Sequence, residues 1–156
     1  MSEKATQVEQ ILKQAIRFEE DAYQFYTQAL DMVQKPHIQD VLRDLASQEQ
    51  QHKEKIQALL DGNTEAIIAV QKRGQIQDLR LAEYLVPRPI EESASFQDVL
   101  IVAMHREKSS FDFYTTMVDL AEDASARSLF EYLAAEEQMH KNKVESLYDE
   151  VVYQEN

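Results

Sequence analysis

The chain has no cysteine and no tryptophan, and only two glycines and three prolines. Without thiols there are no disulfides, no thiolate zinc or iron–sulfur ligation and no cysteine nucleophile, so a metal site has to be built from carboxylate and imidazole. The scarcity of glycine and proline, beside abundant Ala, Leu, Glu, Gln and Lys, favours long helices. Positive charge is also short. The 156 residues carry a formal net charge of −13, which argues against nucleic acid or an anionic membrane surface as partner. The longest apolar run, from Val99 to Met104, is six residues, where a membrane span needs about 20. The opening Met-Ser-Glu-Lys does not read as a signal peptide. These features predict a soluble, cytoplasmic protein folded as one domain over residues 1–156, long enough to bury a proper core.

Apolar residues recur in sevens. In the first segment one line holds Val8, Ala15, Ala22 and Ala29, the next Ile11, Phe18, Phe25 and Met32. A third line reads Leu12, Glu19, Tyr26, Val33, so Glu19 interrupts an apolar stripe. Thr6 and Glu9 fit a capping box at the start of this helix, which runs to about Val33. Pro36 opens a second helix, since the first turn does not need its missing N–H. Its lines are Ile38, Leu45, His52, Leu59 and Leu42, Glu49, Ile56. Gly62 is the expected left-handed cap.

A long connection follows, weakly helical over Thr64–Arg73, with a short turn over Leu81–Val86 and an extended exit at Pro87 and Pro89. Ser95 and Asp98 form a second capping box and open a third helix, whose lines are Phe96, Ala103, Ser110, Met117 and Leu100, Glu107, Tyr114, Ala121. Asp123 caps a fourth, with Ala126, Leu133, His140, Leu147 and Phe130, Glu137, Val144, Val151. Two helical hairpins, about 4–61 and 95–153, are thus joined by a crossover over 62–94. That length suits a connection travelling along a four-helix bundle, which makes the second and third helices parallel.

Two stretches organise this pattern: Glu49-Gln50-Gln51-His52 and Glu137-Gln138-Met139-His140. Each places a carboxylate and an imidazole three residues apart, on one face of a helix and within reach of one ion. A single such pair means little in a Glu-rich helical chain. Here the pair is repeated at a fixed interval: 107 − 19, 137 − 49 and 140 − 52 all equal 88. Flanking residues follow the same shift, Phe25-Tyr26 to Phe113-Tyr114 and Leu45-Ala46 to Leu133-Ala134. An internal two-fold of two hairpins brings four Glu and two His to one level of the core.

Buried carboxylates without partners cost several kcal/mol or protonate, and no Arg or Lys shares these stripes. Two divalent cations supply four positive charges against the four carboxylates. The oxygen-rich set with one imidazole per metal suits iron or manganese; zinc also binds such donors but usually takes fewer. Glu49 and Glu137 are the natural bridging ligands, Glu19 and Glu107 the terminal ones. The alternative is a structural polar layer without metal.

The paired E-x-x-H motifs and the two stripe-borne glutamates resemble the rubrerythrin and bacterioferritin branch of the ferritin-like superfamily. The likeness covers the four helices. It implies an all-α, ferritin-like antiparallel four-helix bundle with a long crossover between helices 2 and 3. It also implies two iron ions held by Glu19, Glu49, His52, Glu107, Glu137 and His140, with manganese or zinc as alternatives. The implied chemistry is oxidation of a non-haem di-iron centre by hydrogen peroxide or dioxygen, as in defence against oxidative stress, with re-reduction by an external electron-donor protein. The likeness further implies a homodimer. An iron-binding or ferroxidase role without substrate turnover is the second function it allows.

Departures from the family pattern are specific. The chain lacks the Cys-rich rubredoxin module of rubrerythrins proper. Ser110 stands where they place an extra glutamate, and Gln50 where bacterioferritins place a haem-binding methionine. Room for the short fifth helix of bacterioferritins is also lacking, so haem and a storage cage are not expected.

Tyr26 and Tyr114 have two readings: core packing with the hydroxyl on a backbone group, or a hydrogen bond to a ligand carboxylate of the opposite hairpin. His37 is expected in solvent, His105 on a different face from Glu107, and Glu20, Asp21 and Glu136 facing water. The methionines read as gap-filling core.

Overall fold

The computed structural model describes residues 3–155, with side chains over 7–69 and 71–153. Four long helices carry the fold: α1 (Glu3–Leu30), α2 (Pro36–Leu60), α4 (Phe96–Leu120) and α5 (Ala124–Glu155). A single turn, α3 (Gln75–Asp78), and three 3₁₀ turns lie in the connection. Among the described residues no strand occurs, and the one isolated bridge joins Ile68 to Ala121. The architecture is the expected all-α bundle with a long crossover between its second and third long helices.

Helix boundaries follow local chemistry in most places. Pro36 occupies the first turn of α2. At the start of α4 the Ser95 side chain accepts from the Asp98 N–H at 3.1 Å, and the Asp98 carboxylate accepts from the Ser95 N–H at 3.2 Å, a complete capping box. Asp123 Oδ2 accepts from the Ala126 N–H at 2.9 Å at the start of α5.

Two expected termini differ. The first helix begins at Glu3, upstream of the cap expected at Thr6, whose side chain lies outside the described residues. Glu9 instead accepts from Thr64 Oγ1 of the crossover at 3.5 Å. At the end of α2, no glycine takes positive φ. Asp61 stays right-handed at φ −73° and ψ −12°. The last carbonyls are satisfied by a tightened turn, with Asp61 N–H on Gln57 O at 2.9 Å and Gly62 N–H on Leu59 O at 3.2 Å. A tightened turn leaves no need for a left-handed residue.

Helix directions follow from two cross-bundle contacts. Tyr26 meets Glu107 and Tyr114 meets Glu19, so advancing along α1 means retreating along α4. The short turn at residues 31–35 makes α1 and α2 antiparallel; α2 and α4 are therefore parallel, as the long crossover requires.

The core divides into two apolar clusters. One gathers Leu12, Phe18, Ile56, Phe113, Met117, Phe130 and Leu133 with Leu81 and Leu85 of the crossover. The other gathers Phe25, Leu42, Leu45, Leu100, Ala103 and Val144. On every long helix the polar positions 19, 49, 52, 107, 137 and 140 fall between the segments that supply the two clusters. Each fully buried large side chain contributes about 1.5–3 kcal/mol, so two apolar slabs clamp one polar layer.

The crossover is pinned by two buried arginines. Arg73 donates through Nε to Ile68 O at 2.9 Å and through Nη2 to Glu65 O. Arg106 of α4 donates through Nε and Nη2 to Arg88 O at 3.2 and 3.0 Å, holding the extended Pro87–Pro89 exit against the bundle. Near the α4–α5 turn, Glu122 N–H donates to Ile67 O at 2.7 Å and Lys72 pairs with Glu122 at 3.0 Å. Among the described methionines, Met117 is fully buried, Met32 and Met104 are half-buried against the second cluster, and Met139 on α5 is 52% exposed.

Candidate metal centre

All six candidate residues converge in the polar layer, none more than 1% exposed. The E-x-x-H spacing on α2 and on α5 sets each imidazole one turn from its carboxylate. The stripe positions of Glu19 on α1 and Glu107 on α4 bring the remaining two carboxylates from the opposite side. His52 Nδ1 lies 3.0 Å from Glu137 Oε1, 3.3 Å from Glu49 Oε1 and 3.8 Å from Glu19 Oε2. His140 Nδ1 lies 3.0 Å from Glu49 Oε1, 3.4 Å from Glu137 Oε1 and 3.7 Å from Glu107 Oε2. Glu49 and Glu137 therefore face both histidines, while Glu19 faces only His52 and Glu107 only His140. One ligand atom each from Glu49, His52, Glu137 and His140 all lie within 4.8 Å of one another. The two imidazole rings stack with centroids 5.4 Å apart and planes 8° from parallel.

These contacts are close but not aligned as hydrogen bonds. His52 Nδ1, His140 Nδ1, Glu19 Oε2, Glu49 Oε1, Glu107 Oε2 and both oxygens of Glu137 have no hydrogen-bond partner. A buried group that makes no hydrogen bond carries a penalty of about 1–3 kcal/mol, more when charged. Seven such atoms pointing at one volume fit a site for cations.

The rubrerythrin family model matches residues 10–148. This chain belongs to the rubrerythrin family. The solved structure of a hypothetical protein from Pyrococcus furiosus is similar in fold, with a TM-score of 0.71 and 19% identity over 94% of this chain and 91% of that one. Among curated proteins, none matches the sequence. Together with the buried Glu/His cluster, the family points to a di-metal centre.

The electrostatics of this rubrerythrin-family site are those of trapped charge. Burial pushes Glu19 well above the usual carboxylate range, and the Glu49 and Glu137 carboxylates add to the push; His52 and the Tyr114 hydroxyl only partly oppose it. Burial and the charge of Glu137 raise Glu107 to about 7, despite His140. Glu49 is lowered: burial and Glu107 act upward, but the two imidazoles prevail. Burial by itself disfavours an imidazolium at His52, yet Glu137, Glu49 and Glu19 raise it to about 11. His140 is raised for the same reason by Glu107, Glu137 and Glu49, again against burial. Without metal, protons on the two imidazoles supply the positive charge that the carboxylates demand.

Both tyrosines take the hydrogen bond to a carboxylate of the opposite hairpin. Tyr26 Oη donates to Glu107 Oε1 at 2.6 Å, and Tyr114 Oη donates to Glu19 Oε1 at 2.5 Å. Each occupies one carboxylate oxygen and leaves the other facing a histidine. Burial, then the neighbouring carboxylates, raises both phenols well above their usual value, so they remain donors.

Several neighbours were not foreseen. Arg106 is 4% exposed, with its guanidinium over Phe25 at 4.8 Å and Phe18 at 5.4 Å, so a cation does stand in the core beside Glu107. It was missed because position 106 lies off the polar stripes. Glu136 does not simply face water: its carboxylate lies 3.8 Å from His52 Nε2 and accepts from Tyr132 Oη at 3.0 Å. Gln48 Oε1 accepts from His140 Nε2. The repeat held the signal, since 48 + 88 = 136. Of the remaining acids and histidines, Glu20 pairs with Lys53 at 3.0 Å, and His37 meets Glu150 at 2.5 Å. His105 is exposed, away from the centre.

Proposed function

We propose that this chain is a cytoplasmic, non-haem di-iron oxidoreductase that reacts with hydrogen peroxide or dioxygen and draws its electrons from a separate donor protein. The observation that carries this reading is the convergence of two imidazole nitrogens and four carboxylates, largely without protein partners, in a sealed layer. Glu49 and Glu137 would bridge two ions, with His52 and Glu19 completing one half and His140 and Glu107 the other. Iron bound there supplies the electron-transfer and Lewis-acid chemistry that reduction of an O–O bond requires.

The chain's own residues supply the rest. Tyr26 and Tyr114 hold one oxygen of each terminal carboxylate and so orient the other. Donation from His140 Nε2 to Gln48 fixes the tautomer that leaves Nδ1 for a metal. The apolar slabs above and below exclude bulk water, which strengthens every charge interaction inside. In the metal-free chain Glu107 is raised to about 7, so it gives up its proton near neutrality, as a carboxylate must before it takes a metal.

A second function, iron oxidation without turnover of another substrate, is favoured by Ser110. This buried hydroxyl, 2% exposed, stands where rubrerythrins proper have an extra carboxylate. Rapid mixing of the anaerobically reduced, iron-loaded protein with peroxide and, separately, with oxygen tests the choice. Stoichiometric peroxide consumption that is restored on each re-reduction supports the oxidoreductase. Oxidation of excess ferrous ion into a mineral supports the second reading.

A further inference from the structure

The internal two-fold relates the two halves of the centre, so any residue that breaks the symmetry makes them differ. Behind His52 stands Glu136; behind His140, at the equivalent position 136 − 88 = 48, stands Gln48. The Glu136 carboxylate lies 3.8 Å from His52 Nε2, beyond hydrogen-bond reach, so that nitrogen has no hydrogen-bond partner and the two groups interact through charge alone; the Glu136 side chain is 19% exposed. On the other side Gln48 accepts from His140 Nε2 and passes the contact outward, its Nε2 donating to Asp44 Oδ2 at 2.9 Å. That more distant carboxylate is also neutralised by Lys143 at 3.2 Å. One imidazole is therefore backed by an anion and the other by a neutral amide.

A second break acts in the same direction. Arg106 occupies the place that Phe18 holds in the first hairpin, 106 − 88 = 18. Its guanidinium is buried over Phe25 and Phe18 and acts through charge on Asp21, Glu107 and Glu49, Glu107 being a residue of the His140 half, whereas the matching side chain on α1 is the neutral Phe18. Both departures leave the His140 half less negative than the His52 half.

We propose that the two metal positions are built unequal, and that the His52 half, backed by Glu136, takes a divalent cation first and more tightly than the His140 half. This rests on the metal-centre reading above. An anion behind an imidazole adds Coulomb attraction for an ion on the other side of the ring, which a neutral amide does not; the hydrogen bond from His140 to Gln48 orients that ring without adding negative charge. Glu136 and Gln48 act as positioning residues, since neither points at the shared volume.

Anaerobic titration of the metal-free full-length chain with Co(II), followed by calorimetry and by the visible absorption of the ion, reads the two affinities separately. Two ions should bind per chain, the first about 10-fold tighter, and at one equivalent anomalous scattering should place cobalt beside His52. Glu136→Gln removes the charge behind His52 and should weaken the tight position about 10-fold, collapsing the ratio. Gln48→Glu should tighten the weak position and narrow the ratio from the other side. Two equal affinities in the wild type, or a ratio unchanged by both variants, overturns the inference and leaves the metal centre standing. A wild-type chain that binds no cobalt overturns both.

Discussion

Tyr26 of α1 donates its hydroxyl to Glu107 of α4 across the bundle at 2.6 Å, and the internal two-fold repeats the contact between Tyr114 and Glu19 at 2.5 Å. Each bond joins the two hairpins and satisfies one oxygen of a buried carboxylate. Removing either hydroxyl leaves that oxygen without a partner, at a cost of about 1–3 kcal/mol. Tyr26→Phe and Tyr114→Phe should each lower the urea midpoint by a corresponding amount in metal-free protein and weaken metal binding about 10-fold. Far-UV circular dichroism should not change. Variants as stable as the parent, with unaltered metal affinity, would show that the two hydroxyls do not support the centre.

The histidines and Glu107 give the metal-free protein a particular pH dependence. Glu107 is raised to about 7 and His52 to about 11. Each therefore binds its proton more strongly in the folded chain than in the unfolded one. The Glu107 contribution to stability is lost as pH rises from the ordinary glutamate range to about 7, and the His52 contribution is lost above the ordinary histidine range, up to about 11. Glu49, lowered by the imidazoles, has the opposite sign and limits stability in acid. Bound metal competes with the same protons, so its stabilisation grows with pH. Melting curves should show the metal-free protein weakening from about pH 6 to about pH 9, while the increment from added divalent metal increases. A metal increment that shrinks with pH would refute the assignment of these groups as ligands.

Arg106 ties the crossover to the bundle through Arg88 O while stacking on Phe18 and Phe25. Arg106→Ala removes two hydrogen bonds and the packing of a long side chain, for an expected loss of about 2–4 kcal/mol. Limited proteolysis should then cut near Pro87–Pro89 sooner than in the parent. Unchanged proteolysis would mean that the exit is held by other contacts.

Much of this organisation was legible in the sequence because the chain repeats itself. The heptad-spaced apolar lines fixed four helices, and the 88-residue shift named six residues that do meet in space. Termini were less legible. A glycine after a helix usually marks a left-handed cap, but at Gly62 the chain tightens instead, a choice set by tertiary context rather than by the residue. Arg106 escaped notice because a cation off the stripe reads as surface. It is buried only because the crossover, which has no periodic pattern, folds back over it. Glu136 and Gln48 were visible as sequence neighbours of the candidate ligands, but their approach to the far nitrogens depends on which way each helix faces.

Removing a single ligand should separate the centre from the fold. In His52→Ala or Glu137→Ala most bound metal should be lost, while the two apolar clusters keep the chain helical. Glu137→Ala relieves Glu19 and Glu107 but also removes a carboxylate that holds both imidazoles charged, and it leaves a cavity, so the metal-free variant should melt below the parent while remaining helical. Full metal retention in both variants would remove these residues from the ligand set.

The most direct test is elemental analysis of the purified protein after anaerobic loading with ferrous iron and removal of the excess. The proposed two-ion site predicts about two irons per chain in the parent and far fewer in His52→Ala and Glu137→Ala. A parent chain that retains no iron, or the same iron in all three proteins, would contradict the metal centre on which the whole account stands.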